Sequence, residues 1–328
     1  MSDLHAMIRR RKRWDLAFNV LGAAVVVLSL AFLGMLLADL IRDGLPRLGR
    51  DFLTEFPSRK PEKAGIKSAI IGTSLVMLVT TCTAIPLGIA AGLYLEEYAR
   101  KNWVTTIIEI NIANLAGVPS IIWGLMSLGL LVYQLHLGRS ILTAGLTLGL
   151  LVLPIVIVAT REALRSIPQG IREGSYACGA TRWQTMRHHV LPYSLSGIFT
   201  GAIIALSRAI GETAPLITIG ALTYIAFLPP APFSEEAAKM AAAKAPVADA
   251  GWMTEAFWPV RELGIKAFGW LGSEFTVLPI QAFNWVSRPD PRFQVNAAAA
   301  GVILLAMTLS MNAVAIMLRY RLRKRYTW

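Results

Sequence analysis

The stretch Ser207-Arg208-Ala209-Ile210-Gly211-Glu212-Thr213-Ala214-Pro215 sets an arginine and a glutamate four residues apart inside a run apolar enough for a lipid bilayer. On a continuous helix that spacing puts both side chains on one face. Arg208 would lie about 20 Å along such a helix from Leu195, beyond easy snorkelling to the nearer interface. A charge at that depth costs about 3 kcal/mol on insertion scales. Two arrangements offset it. Arg208 and Glu212 pair with each other, with Ser207 and Thr213 adding hydrogen bonds, or they line a water-filled passage. The two are compatible, because paired groups can exchange partners when a substrate passes.

Bond-making chemistry has no comparable candidate, and no catalytic residue is assigned. There is no Gly-x-x-x-x-Gly-Lys-Ser/Thr phosphate cradle, so the chain does not supply the usual ATP site, and its energy must come from a partner or an ion gradient. Cys82 lies in an apolar run and Cys178 in a polar one, with neither disulfide nor metal-ligand spacing. His188 and His189 are adjacent, point to different helix faces and have no further ligand close in sequence, so they read as surface histidines and no metal site is expected. A membrane-embedded enzyme finds no nucleophile and base pair here.

The elements that hold Arg208 and Glu212 follow from composition. The 328 residues are 55% hydrophobic and 16% charged, with a mean hydropathy of +0.54, too apolar for a soluble domain. The net charge of +12 flanks apolar segments instead of forming one stripe, which argues against nucleic acid and for membrane lipid. A crossing needs roughly 20 apolar residues. Six segments qualify: Ala17 to Ala38, Ser68 to Leu95, Ile107 to Tyr133, Ile141 to Thr160, Leu195 to Phe227 and Ala297 to Leu318. The first follows Arg9 to Arg13 but has no convincing cleavage site, so it reads as a retained anchor. Pro86, Pro119, Pro154 and Pro215 lie inside four of the segments and predict kinks or breaks. Gly88/Gly92, Gly145/Gly149 and Gly197/Gly201 have the spacing that lets helices approach closely in lipid.

Lysine and arginine fall in both tails and in the connection between the fourth and fifth segments, which puts both termini and that connection in the cytoplasm. The expected organisation is a basic tail over 1–16, a first helix and outer loop over 17–67, a core over 68–318 and a basic tail over 319–328. Within the core lie a cytoplasmic loop at 161–194 and a large outer loop at 228–294. The first outer loop is itself basic, with Arg42, Arg47, Arg50, Arg59, Lys60, Lys63 and Lys67 partly offset by Asp43, Asp51, Glu55 and Glu62. A solvated loop is the favoured reading over attraction of an acidic partner or an anion. In the large loop, Ser234 to Ala250 reads as a mobile or helical insertion, and Glu274 to Pro289 as an amphipathic, aromatic segment along the interface.

The cytoplasmic connection Ile171 to Pro192 predicts a short helix around Arg172 to Cys178, a break at Gly179, and a second helix from near Thr181 ending before Pro192. Such a helix pair can insert into a groove of a soluble partner. Its Glu173-Gly174-Ser175, three residues, Gly179, nine residues, His189, Val190, Leu191-Pro192 resembles the signature of the permease subunits of binding-protein-dependent ABC importers, which reads Glu-Ala-Ala, three residues, Gly, nine residues, Ile, one residue, Leu-Pro. Glutamate, glycine and Leu-Pro match in register; both alanines and the isoleucine do not. The resemblance implies an all-α integral membrane protein with six transmembrane helices, an ABC importer permease (MetI-like) fold, in a bacterial inner membrane. It makes Glu173, Gly179, Leu191 and Pro192 the coupling residues toward an ATPase.

"SRAIGETAPL", "FTVLPIQAFNWVSRP", "LAGVPSIIWGLMSLGL" and the ending "AAAAGVILLAMTLSMNAVAIMLRYRLRKR" resemble the A-type permeases (PstA) of phosphate-specific ABC importers, over roughly Ser68 to Arg325. That resemblance implies import of inorganic phosphate past Arg208, Glu212, Ser207 and Thr213. The implied partners are a second, distinct phosphate permease (PstC type), two ATPase subunits (PstB type) that bind ATP and Mg, and an extracytoplasmic phosphate-binding protein (PstS type). A cation in a low-dielectric pathway offsets burial of the anion, and a carboxylate competing for it prevents trapping. A permease for another oxyanion, sulfate or molybdate, is the alternative, and signalling of phosphate status can coexist with import.

Overall fold

The computed structural model of the chain describes residues 2–243, 262–264 and 266–325, and among these every regular element is helical. Five helical stretches are long and apolar enough to cross a membrane: Arg11–Arg47, Lys67–Tyr98, Ile141–Arg165, Arg182–Gly211 and Arg292–Arg321. A further pair of helices, Trp103–Leu115 and Ser120–Gln134, is long and apolar enough when the two are taken together as a sixth, broken span, and they are bent by 106° at the break. We label the helices α1 (Ser2–Gly44), α2 (Arg50–Thr54), α3 (Lys67–Leu93), α4 (Trp103–Leu115), α5 (Ser120–Ser127) and α6 (Ile141–Arg165). There follow α7 (Gln169–Ala177), α8 (Arg182–Thr185), α9 (Leu191–Gly211), α10 (Ala214–Ile219) and α11 (Glu235–Ala243). The last two are α12 (Leu278–Val286) and α13 (Arg292–Arg325). Residues 2–16 of the expected basic tail are continuous with the first crossing as α1.

The spine is α6, which packs on α3 on one side and α9 on the other. All three glycine pairs singled out by their spacing lie in these two contacts. A methyl group on Gly88 would come within 2.6 Å of Val156, on Gly92 within 2.8 Å of Thr160, and on Gly197 within 2.7 Å of Ala163. Gly145 meets Val79 and Gly201 meets Ala159 more tightly still. Lipid tails are as apolar as the helices, so close van der Waals contact has to hold them together, and small residues permit it. One hydroxyl adds to it: Thr80 lies 2.9 Å from the Val76 carbonyl and 3.2 Å from the Gly145 carbonyl across the α3/α6 seam.

The prolines act in two ways. Pro119 precedes α5 and Pro215 opens α10, so each starts a new helix after a break, where its missing N–H leaves no intrahelical bond unmade. Pro86 and Pro154 remain inside α3 and α6, which stay continuous. The helix expected to stop before Pro192 runs on instead, as α8, a π-helical turn over Met186–Val190, and α9. The wider turn just ahead of the proline takes up the backbone mismatch that would otherwise end the helix.

At the end of the bundle away from α7 and α8, the basic stretch 42–67 is tightly folded. Arg47 donates to Asn296 Oδ1 (2.9 Å) and to the carbonyls of Glu62 (2.7 Å) and Ala64 (3.2 Å), and its guanidinium stacks 5.1 Å from the Phe52 ring. Phe52 and Trp285 are fully buried with ring centroids 5.7 Å apart, which fixes α12 against α2. At the start of α13, Arg292 donates to the Asp290 carboxylate (2.9 Å) and holds that carboxyl below its ordinary range. The described part of the alanine-rich insertion forms α11, and residues 244–250 lie outside the described residues.

Candidate functional site

The segment carrying Arg208 and Glu212 is not one helix. Helix α9 ends at Gly211, Glu212 takes an extended conformation (φ −76°, ψ 120°), and α10 starts at Ala214. Arg208 therefore stands in the last turn of α9 and Glu212 caps it, yet Arg208 Nε still lies 3.2 Å from Glu212 Oε1. A cation in the last turn also suits the negative end of the helix dipole. The Arg208 side chain is 41% exposed and Glu212 18%. Among the described residues no hydrogen bond is made by the two Nη groups of Arg208. The guanidinium thus keeps the donor fork that recognises oxyanions.

Ser207 and Thr213 do not support the pair as the sequence led us to expect. Once the helix breaks at Gly211, Thr213 turns back to the Gly211 carbonyl (3.4 Å). The Ser207 hydroxyl lies 2.7 Å from both the Ile203 carbonyl and Asn312 Oδ1 on α13. Asn312 was missed by sequence reasoning; an amide inside the last apolar run was its only signal. A second α9–α13 contact, Arg319 Nε to Ser196 Oγ at 3.3 Å, sets the two helices antiparallel. Ser207 lies eleven residues from Ser196, about 16 Å along α9, within a run of residues apolar enough for a bilayer.

Both broken crossings meet. Gly124 in the second turn of α5 lies against Pro215 and Thr218 of α10, with no room for a side chain. Non-helical backbone at membrane depth is tolerated where protein surrounds it or where it borders a water-filled space.

At the other end, α7 and α8 form the expected helical pair around Gly179. Its φ of +81° is accessible to glycine at no steric cost. Thr181 caps α8 reciprocally with Gln184, and the buried Ser175 and Thr185 hydroxyls meet at 2.8 Å to lock the pair. Glu173, Gly179, Tyr176 and Trp183 are exposed on this pair, whereas Leu191 is half-buried against Leu164, Ile167, Met186 and Val190, and Pro192 is half-buried in the first turn of α9. Glu173 and Gly179 belong to the exposed surface, Leu191 and Pro192 to its attachment.

An ionic network went unnoticed in the sequence. Arg161, buried in α6, reaches Glu109 of α4 (2.7 Å) and Glu96 (3.4 Å), and Arg165 reaches Glu96 (2.9 Å). Arg172 of α7 reaches Glu97 (2.7 Å) and the Leu164 and Ile167 carbonyls (both 3.0 Å) that close α6. A π-helical turn over Tyr94–Tyr98 presents the two adjacent glutamates, one to α6 and one to α7.

The family described as "Binding-protein-dependent transport system inner membrane component" matches residues 84–248, just over half of the 328. "Probable ABC transporter permease protein YqgI" of Bacillus subtilis (strain 168) is 32% identical over 208 residues, 63% of this chain and 70% of that one. "Phosphate transport system permease protein PstA" of Yersinia pestis is 34% identical over 227 residues, 66% of this chain and 75% of that one. Among solved structures, an inward-facing conformation of the MetNI methionine ABC transporter aligns with a TM-score of 0.47 and 16% identity, over 77% of this chain and 94% of that one. The matched segment holds α6, the α7/α8 pair and the Arg208–Glu212 break, and the chain belongs to the family of binding-protein-dependent transport system inner membrane components.

Proposed function

We propose that this chain is a transmembrane permease subunit of an ATP-driven importer of inorganic phosphate and forms half of its translocation pathway. The observation that carries the cargo assignment is Arg208, whose two Nη groups make no hydrogen bond among the described residues, at the break between α9 and α10, in a chain similar to phosphate transport system permeases. Phosphate is bound by that fork, and Glu212 competes for the same guanidinium so that the anion is released. The α7/α8 face, with Glu173 and Gly179, docks into an ATPase subunit, while Leu191 and Pro192 attach that face to α9. ATP and Mg are held by the ATPase partners. A second permease of the PstC type, two ATPases of the PstB type and an extracytoplasmic binding protein of the PstS type complete the importer. Both termini and α7/α8 face the cytoplasm, and the folded segment 42–67 faces outward.

The test is radiolabelled phosphate uptake in cells lacking their own high-affinity importer, supplied with this chain and its cognate partners, with sulfate and molybdate as competitors. ATP-dependent uptake that neither competitor reduces, and that Arg208→Gln abolishes with assembly intact, is the expected result. Uptake suppressed by sulfate or molybdate transfers the assignment to that oxyanion, and normal uptake by a well-folded Arg208→Gln variant removes Arg208 from the pathway.

A further inference from the structure

We propose that Arg172 and Glu97 form an ionic strut that makes the α7 coupling helix and the end of α3 move as one body, so that ATPase motion reaches the broken crossing through it. The inference rests on the docking of α7/α8 to an ATPase and adds positioning residues outside both candidate sites.

Contact between α7 and the rest of the bundle is chemically specific. Arg172 makes three bonds at once, to Glu97 and to the Leu164 and Ile167 carbonyls. Its side chain is 13% exposed and that of Glu97 16%. A guanidinium with several partners resists rotation, because moving it breaks all its bonds together.

The linkage continues beyond α7. Next to Glu97, Glu96 is held by Arg165 and Arg161 of α6, and Arg161 reaches Glu109 of α4. Helix α4 has no buried residue of its own, so apolar packing contributes little to its hold on the bundle and the Arg161–Glu109 pair carries more of it. Beyond the break, α4 leads into α5, which packs on α10 beside Arg208 and Glu212. A displacement of α7 is therefore passed through short ionic contacts to the half-helices that meet at the two breaks. Glu96 and Glu97 are neighbours in the π-helical turn at Tyr94–Tyr98, and adjacent helical residues face different ways, so the two carboxylates reach different helices.

The experiment uses the full importer in proteoliposomes, with Glu97→Gln, Arg172→Gln and the double variant. Two quantities are read: phosphate moved per ATP hydrolysed, and the distance between spin labels at Lys101→Cys and at Gln169→Cys, the exposed first residue of α7, in a Cys82→Ser, Cys178→Ser background. In the parent the label distance is unchanged by ATP. In Glu97→Gln, ATP hydrolysis persists, phosphate moved per ATP falls about tenfold, within the usual range of coupling between sites, and the label distance shifts with ATP. The double variant is no worse than Arg172→Gln alone, and Glu97→Asp recovers part of the ratio. A Glu97→Gln importer with the parental ratio and a fixed label distance overturns the strut, as do additive losses in the double variant. If Arg172→Gln fails to assemble, Glu97→Gln still decides. The label distance needs no cargo, so a parent that imports no phosphate refutes the cargo assignment while the strut is still tested.

Discussion

Arg161→Met should destabilise the assembled protein by about 2 kcal/mol, and the reason is asymmetric. The Arg161–Glu109 contact at 2.7 Å has a gross attraction of about 6 kcal/mol at an effective dielectric constant of 20. Stranding one partner of a buried pair costs about 3–5 kcal/mol, whereas exposed pairs contribute less than about 1 kcal/mol. Glu109 is 34% exposed and lies six residues into α4, so it can draw in water and the cost falls between these limits. Glu96 keeps Arg165 and adds little. Removing the other partner differs, because in Glu109→Gln the arginine retains Glu96 at 3.4 Å, and the loss should be about 1 kcal/mol. In the double variant no carboxylate is stranded, so adding Glu109→Gln to Arg161→Met should restore about 1 kcal/mol. The assay is the heat-induced loss of helical circular dichroism in the purified importer, where each kcal/mol moves the midpoint by roughly 2–4 °C. A double variant less stable than Arg161→Met, or a Glu109→Gln cost equal to that of Arg161→Met, would refute the reasoning.

Three further outcomes are expected. Gly201→Val forces α6 and α9 apart and should cost at least about 1–3 kcal/mol in the same assay, whereas Gly34→Val, with open space around it, should leave the midpoint unchanged. Gly179→Val places a β-branched residue at a φ of +81° and should cost about 1–3 kcal/mol locally, read as weaker retention of the ATPase subunits on an affinity column with the helix content preserved. Asn312→Val removes the α13 partner of Ser207 and should lower stability by about 1 kcal/mol, measured against Ser207→Ala, with the double variant close to either single one.

The crossings were legible because lipid imposes a length and a composition, although the fifth run, expected over Leu195 to Phe227, is helical only as far as Ile219, where Gly220 ends α10 at a φ of +95°. Glycine spacing also read through correctly: Gly88, Gly92, Gly145, Gly149, Gly197 and Gly201 all lie in the seams around α6. Arg208 and Glu212 were visible because a charge in an apolar run is costly, but their geometry was not. Whether a helix breaks at Gly211 depends on α5 packing beside α10, and periodicity holds no information on that contact. By the logic that singled out Arg208, Glu109 inside the third crossing and Arg161 near the end of the fourth carried the same signal. Their partners escaped notice because Glu96 and Glu97 look like ordinary polar residues at a helix end, and only the fold brings them to α6 and α7.

The π-helical turn over Met186–Val190 sets the phase of everything beyond it. A π turn stores one residue more than an α turn, while each residue of α-helix advances the face by about 100°. Deleting one residue inside 186–190 can return that turn to α geometry and leave α9 facing as before. The same deletion within 195–205 has no surplus residue to draw on, and it rotates Ser207 away from Asn312 and Arg208 away from the break. A one-residue deletion is therefore absorbed between the α7/α8 pair and the crossing that carries the charge.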